Sequence, residues 1–335
     1  MKTIVIQPTF GLDNLHLIDR PDPQPGPGEV LLQMKAWSLN YRDLMLVKGL
    51  YNPKLKLPFV PLSDGAGEVI GVGDGVTRVK VGDRVAGCFM QKWINGEVSD
   101  AAAKSALGGA IEGVAAEQVV LHEDGVVKFP EHLSFEEAAT LPCAAVTAWN
   151  ALVTHGKLKA GDTVLVQGTG GVSIFALQFA HLLGARVIAT SSSNAKLERV
   201  KAMGASDGIN YKETPNWEEK VKELTGGVGV DHVVEVGGAG TFNQSMKAVR
   251  LGGRVSLIGV LAGKGEVNLM PVLMKGVCVQ GIFVGSRAMF EAMNREIAVE
   301  ELRPVIDRVF DFQDIQAALR HMEAGAHFGK ICLRA

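Results

Sequence analysis

Between residues 163 and 284 the apolar positions fall into short runs, and each run leads into a segment with helical spacing. Thr163–Gln167 precedes a predicted helix over Val172–Leu183, and Val187–Thr190 precedes one over Ala195–Met203. Gly208–Tyr211 leads into Trp217–Leu224, and Val230–Val236 into Thr241–Val249. Arg254–Val260 and Val277–Val284 complete the series. Alternation of this kind predicts a parallel sheet with helices on both faces. Runs such as Val187-Ile188-Ala189 are apolar at every position, as parallel strands covered on both sides are.

The first third reads differently. Pro21-Asp22-Pro23-Gln24-Pro25-Gly26-Pro27-Gly28 excludes helix and central strand. Short strands are predicted over Glu29–Lys35, Glu68–Val72, Arg84–Gly87 and Glu117–Leu121, and one or two helical turns over Asn40–Leu46. Gln91–Gly113 is rich in small residues and weakly patterned, which predicts a surface loop. After about residue 286 come helices over Ala288–Val299 and Asp314–Ala324, a strand over Val305–Phe310, and a closing strand over Lys330–Leu333. Strands after the alternating middle imply that the chain returns to its first domain.

The length of 335 residues suits two domains. A composition of 47% hydrophobic and 21% charged residues is ordinary for a globular protein, and a net charge of −2 argues against binding nucleic acid. Cys88, Cys143, Cys278 and Cys332 are far apart with no C-x-x-C pair, which excludes a cysteine-cluster zinc lobe and suits buried thiols in a reducing compartment. No apolar run approaches the roughly 20 residues of a membrane helix. The expectation is a cytoplasmic protein with no membrane or nucleic-acid partner.

The most specific local signal is Val164-Leu165-Val166-Gln167-Gly168-Thr169-Gly170-Gly171-Val172-Ser173. A strand, a glycine turn and a helix start in this order bring backbone N–H groups and the positive helix end against a pyrophosphate. Gly168, Thr169, Gly170, Gly171 and Val172 are therefore candidate cofactor contacts. Ser173 stands where the fingerprint's third glycine or alanine, a helix-packing position, belongs. The second strand should end at the adenosine ribose, where an NAD site carries Asp or Glu. Here the sequence is Thr190-Ser191-Ser192-Ser193-Asn194-Ala195-Lys196, without an acid. Hydroxyls of Ser191 and Ser192 with the Lys196 ammonium suit a 2′-phosphate, which favours NADPH over NADH.

The run from Val164 to Gly204, the Ile209-Asn210-Tyr211 strand, the Gly252-Gly253-Arg254-Val255 turn, Pro25-Gly26-Pro27-Gly28-Glu29-Val30 and Val81-Gly82-Asp83-Arg84-Val85 resemble the medium-chain dehydrogenase/reductase superfamily. Its quinone oxidoreductase and enoyl reductase branches are closest. The resemblance implies an α/β fold: a Rossmann doubly wound parallel sheet over 123–287, and a GroES-like distorted β-barrel formed by 1–122 and 288–335, with the active site in the cleft between them. It implies that Lys196 and Tyr211 hold the 2′-phosphate and adenine. Gly237, Ile258, Val260, Phe283 and Val284 would line the nicotinamide end, Thr147 would open a helix beneath it, and Lys330 would reach the cofactor phosphates. Related dimers make the strand over 277–283 a candidate edge for pairing in a homodimer or tetramer.

Zinc members of the superfamily supply a Cys, a His-Glu pair and a second Cys, and use the metal as a Lewis acid. At the matching positions this chain has Asn40, Ser63-Asp64 and Cys143, so no zinc is expected. Asn40-Tyr41-Arg42-Asp43 followed by Gly49-Leu50-Tyr51 resembles the Asn-x-x-Asp…Gly-x-Tyr signature of the zinc-free reductases. That resemblance implies Tyr51 as proton donor or oxyanion donor, Asn40 as polar orienter and Tyr41 as a further candidate, with Arg42 and Asp43 a structural pair. The scattered histidines, His232 among them, are expected at the surface. The reading is a reductase that moves hydride from NADPH to a small α,β-unsaturated carbonyl or quinone. Its alternatives are an alcohol dehydrogenase-like carbonyl reductase and a non-catalytic NADPH-binding protein.

Overall fold

Strands β1 (Lys2–Ile6) and β2 (Leu15–Asp19) open the chain as an antiparallel pair, with Lys2 opposite Asp19. β3 (Glu29–Ser38) is the spine of the next sheet, because nearly all of its side chains are buried or half-buried. It runs antiparallel to β4 (Asp64–Val72), and β4 to β5 (Arg84–Gly87). β6 (Gln118–His122) pairs with the start of β3, and β7 (Val126–Lys128) with β5. The computed structural model describes every residue except 260 and 262–264. It divides into two units: Met1–Val146 with Gly285–Ala335, and Thr147–Val284.

The second unit holds one parallel sheet. Its strands are β8 (Thr163–Gln167), β9 (Arg186–Ser191), β10 (Asp207–Asn210), β11 (Val230–Glu235), β12 (Val249–Leu257) and β13 (Cys278–Gly281). Their order across the sheet is β10-β9-β8-β11-β12-β13, and every neighbouring pair is parallel. This is the doubly wound order of a dinucleotide fold, with its switch point between β8 and β11. Helices Gly171–Leu182, Asn194–Ala202, Trp217–Leu224 and Ala239–Ala248 connect the strands. One core cluster packs Leu165, Ile188 and Val233 of the sheet against Trp217, Phe242 and Met246 of two of these helices.

In the first unit, β14 (Ile306–Asp311) runs parallel to β15 (Lys330–Arg334), and β15 pairs antiparallel with the end of β3, Cys332 opposite Ser38. The return of the chain to its first domain is therefore a strand inserted beside β3. Trp37 stacks on Phe312 with ring centroids 4.1 Å apart, joining the early and late segments in one core.

Five expectations need correction. The boundary at 122/123 lies instead at 146/147, because β7 completes the first sheet and helix Phe135–Ala139 packs on β3 and β4. On the other side, the boundary at 287/288 lies at 284/285. Gln91–Gly113 is a surface loop only in part: residues 95–101 are exposed, but Gln91, Trp93, Ala102, Ser105, Ala106 and Leu107 are buried, and Leu107 accepts a hydrogen bond from Arg42. His232 is buried and paired with Asp162 at 3.2 Å, while Cys278 is exposed. Local pattern misses such burial because the covering residues lie far away in sequence. Among the described residues no helix is long and apolar enough to cross a membrane.

Candidate active site

Residues that follow the strand ends of the second unit meet along one edge of its sheet. Gly168 N–H donates to the Thr190 carbonyl at 2.9 Å, Tyr211 N–H to Ser191 at 3.0 Å, Ile258 N–H to Glu235 at 2.9 Å and Ile282 N–H to Leu257 at 2.9 Å. The sequence candidates Gly168–Val172, Ser191, Ser192, Tyr211, Gly237, Ile258, Phe283 and Val284 thus share the carboxyl edge, where doubly wound sheets bind ligands. Val260 lies outside the described residues.

Gly168 takes φ 70°, a left-handed value that a side chain would strain, and nothing lies within 4 Å of where a Cβ would stand at Gly168 or Gly170. This open approach before helix Gly171–Leu182 fits a dinucleotide pyrophosphate. Ser173, the departure from the fingerprint, is buried and donates its hydroxyl to the Gln167 carbonyl at 2.6 Å, tying the helix to the strand. A small polar residue therefore serves this packing position.

Beneath the turn lies a pair that the sequence reading passed over. Gln167 donates to the fully buried Glu235 carboxyl at 2.8 Å, and its carbonyl oxygen accepts from Val236 N–H at 3.2 Å. Glu235 also accepts from Gly237 and Gly238 N–H at 2.8 and 2.9 Å, from the Thr241 hydroxyl at 2.5 Å, and from Ser245. A Cβ on Gly237 would stand 2.2 Å from the Thr241 hydroxyl oxygen, so the turn after β11 requires glycine. The available signal was an acid directly after the apolar pair Val233-Val234 at the end of a parallel strand.

At the adenosine end, Ser191 is buried, and its hydroxyl accepts from Ser193 N–H at 3.3 Å. Ser193 caps the helix at Lys196 N–H, and Tyr211 is 42% exposed. Thr147 is buried in helix Val146–Trp149. Asn150, also missed, donates to the Val284 carbonyl at 2.7 Å and fixes Val284 at φ 57°. Its own carbonyl oxygen is buried without a hydrogen-bond partner, an acceptor left beside Val284.

The first unit gathers a separate polar cluster. Asn40, Asp43, Ser63, Asp64 and Lys330 are all buried. The Lys330 ammonium donates to the Leu39 carbonyl and to Asn40 Oδ1, both at 2.6 Å. Asn40 Nδ2 donates to the Ser63 hydroxyl at 3.4 Å, Ser63 donates to Asp64 Oδ1 at 2.7 Å, and Cys143 N–H donates to Asp64 Oδ2 at 3.0 Å. Asp43 accepts from Asn40 N–H at 2.8 Å and lies 3.9 Å from Arg42. Burial pushes Asp43 up to about 6 and raises Asp64 as well, against the opposing pull of Arg42 and Lys330 respectively. Lys330 was expected at the cofactor phosphates; its ammonium instead turns into this cluster. Gly329, at φ 80° and with no room for a Cβ beside the Val305 carbonyl, sets that direction. Tyr41 and Tyr51 are exposed at 45% and 44%, and the Arg42 guanidinium lies 5.6 Å from the Tyr51 ring centre.

Two family models match the chain: an alcohol dehydrogenase GroES-like domain over residues 26–131 and a zinc-binding dehydrogenase over 171–299. A zinc-type alcohol dehydrogenase-like protein of Schizosaccharomyces pombe is 45% identical over all of this chain and 99% of its own. This chain belongs to the medium-chain dehydrogenase/reductase superfamily. A solved putative alcohol dehydrogenase from Sinorhizobium meliloti superposes with a TM-score of 0.92 at 44% identity, covering 100% of this chain and 99% of that one. An acryloyl-coenzyme A reductase of Metallosphaera sedula is 29% identical over 93% of this chain and 94% of its own. The protein is an oxidoreductase of this superfamily, whose fold binds a nicotinamide cofactor.

The zinc in two of these names can be tested on the donors present. Asn40 and Ser63 supply neutral oxygen and nitrogen where the metal favours thiolate and imidazole. Asp64 is already engaged by Ser63 and Cys143 N–H, and desolvation raises the Cys143 thiol. An ammonium lies against Asn40. This donor set does not fit zinc.

Proposed function

We propose that the protein is a zinc-independent, NADPH-dependent reductase of small α,β-unsaturated carbonyls or quinones. The observation that carries this reading is the Lys330–Asn40–Ser63–Asp64 network, in which Asn40, Ser63 and Asp64 stand at the family's zinc-ligand positions and Lys330 supplies an ammonium. Without Lewis-acid ligands, an isolated ketone is a hard substrate, whereas a conjugated acceptor needs only alignment and a proton source. The bound cofactor supplies hydride to the electron-poor carbon, and the resulting enolate takes a proton at carbon or oxygen.

The chain's own groups serve that chemistry in two places. Gly168–Val172 present backbone N–H groups to the pyrophosphate, and Ser191, Ser192, Lys196 and Tyr211 receive the 2′-phosphate and adenine. Asn40 donates to the oxygen that gains charge, and Tyr51 or water delivers the proton. The four cysteines, none in a disulfide, suit a reducing, cytoplasmic setting. Helix Met270–Lys275, which precedes strand β13 and buries none of its residues, supports assembly with further copies.

Steady-state assays with NADPH against a panel of enones, quinones and simple ketones test the reading, together with metal analysis of the purified protein. Turnover of conjugated acceptors by zinc-free protein, unchanged after chelator dialysis, is expected. About one tightly held zinc per chain, with activity lost on its removal, would establish the carbonyl-reductase alternative. NADPH binding without turnover of any acceptor would establish the binding-protein alternative.

A further inference from the structure

The hydrogen bonds of the first unit's cluster run in one direction. Lys330 Nζ has only donors, so the Asn40 atom 2.6 Å away must be the carbonyl oxygen. The Asn40 NH2 then faces Ser63, whose hydroxyl accepts from it and donates onward to Asp64. An ammonium at one end and a carboxyl at the other fix the flip of the amide between them. An asparagine at a helix N-cap ordinarily spends its side chain on the first-turn N–H groups. Here Asn40 and Asp43 form a capping box, in which the Asn40 side chain faces the Asp43 N–H and Asp43 accepts the Asn40 backbone N–H at 2.8 Å. The same carboxamide also joins Lys330 and Ser63 in a network that spans most of the chain.

We propose that Lys330 is a positioning residue that does for Asn40 what a bound metal cation does for its ligands: its buried ammonium orients and polarises the carboxamide so that an Asn40 N–H serves the oxygen that gains charge. Lys330 balances the buried carboxyls in the cluster and acts through Asn40, without touching the substrate. Polarisation runs from cation through amide to hydroxyl to carboxyl, each donor strengthening the next. The inference rests on the proposed reductase reading and adds the source of positive charge that a zinc-free site otherwise lacks.

The test compares Lys330→Met, Lys330→Arg, Asn40→Ala and the Lys330→Met/Asn40→Ala double variant in the full chain, with NADPH and the best acceptor of the panel. Lys330→Met is expected to lower kcat by roughly 10- to 100-fold, while the Kd for NADPH, read by fluorescence, stays within about twofold. Lys330→Arg should restore part of kcat. The double variant should be no slower than Asn40→Ala, because the lysine acts only through the amide. Multiplying effects in the double variant would overturn the proposal. So would weakened NADPH binding with kcat intact at saturating cofactor, which is the signature of a phosphate contact.

If Lys330→Met does not fold, Lys330→Met/Asp64→Asn removes both charges together and carries the same comparison. A readout free of turnover separates this inference from the function it rests on. The Asn40 side-chain amide signal, assigned by its loss in Asn40→Ala, should move in Lys330→Met; an unmoved signal would overturn the inference. Absence of turnover with every conjugated acceptor would instead overturn the reductase reading and leave the amide result standing.

Discussion

Gln167 and Glu235 end adjacent parallel strands and join side chain to side chain at 2.8 Å, beneath the glycine turn that opens helix Gly171–Leu182. All five groups that Glu235 accepts from are donors, and two of them, Gly237 and Gly238 N–H, are backbone. Glu235→Gln keeps the shape but sets an NH2 against either Gln167 Nε2 or those N–H groups. A loss of about 2–3 kcal/mol is expected, the cost of buried donors left facing donors. NADPH affinity should fall with it, because both glycine turns lean on this carboxyl. Denaturant unfolding and cofactor titration of the same variant check both; unchanged values would show that the pair is dispensable.

Lys196 lies in the first turn of helix Asn194–Ala202 after β9, at the end of the stretch that carries no acid. Lys196→Ala should weaken NADPH about tenfold, as the loss of one charge-assisted phosphate contact does, and leave NADH within about twofold. Isothermal titration with both cofactors decides it. Equal losses would refute a 2′-phosphate role.

Asp43 gives a pH dependence whose sign follows from its raised value. Between pH 3.8 and about 6 the folded chain keeps a proton that the unfolded chain has released. The contribution of this group to stability is therefore full below 3.8, falls as pH rises through about 6, and stays low above it. The change is on the order of 3 kcal/mol. Relative to Asp43→Asn, wild type should lose this much between pH 4 and 7 in denaturant unfolding. A pH-independent difference would show that the carboxyl ionises normally in the fold.

Strand β13 ends the parallel sheet, and Leu269, Met270, Leu273 and Met274 beside it are exposed at 57% to 74%. We infer that a second copy covers this apolar face. Light scattering should find a dimer or tetramer at micromolar concentration, and Leu273→Glu with Met274→Glu should shift it toward monomer. A wild-type monomer would sink the inference.

The second unit was legible because its determinants are local. Each strand-to-helix step from Thr163 to Ala248 lies within a short window, and the glycine turn announces itself in a few residues. The first unit was less legible because its partners are distant. Arg42 finds Leu107, Trp37 finds Phe312, and Lys330 finds Asn40. No window of sequence contains such pairs, so the buried parts of Gln91–Gly113 read as surface; the expectation of Lys330 at the phosphates came from the family resemblance alone. Family resemblance brought Asn40, Ser63, Asp64 and Cys143 to one place, but it said nothing of the ammonium beside them. Glu235 was visible as an acid closing a strand after Val233-Val234, and its five partners emerge only when β8, β11 and the following helix are packed.

The insertion of β15 beside β3 also sets an order of events. Lys330 leaves the ribosome only after every residue of the second unit, so that unit can close on itself while the first still lacks two strands. Until β15 arrives, Asn40 has no cation and the carboxyl of Asp64 lacks the ammonium that opposes its burial. The charge that completes the polar cluster is thus delivered last during synthesis, and a chain cut short before residue 330 would carry a finished second unit and a polar cluster without its ammonium.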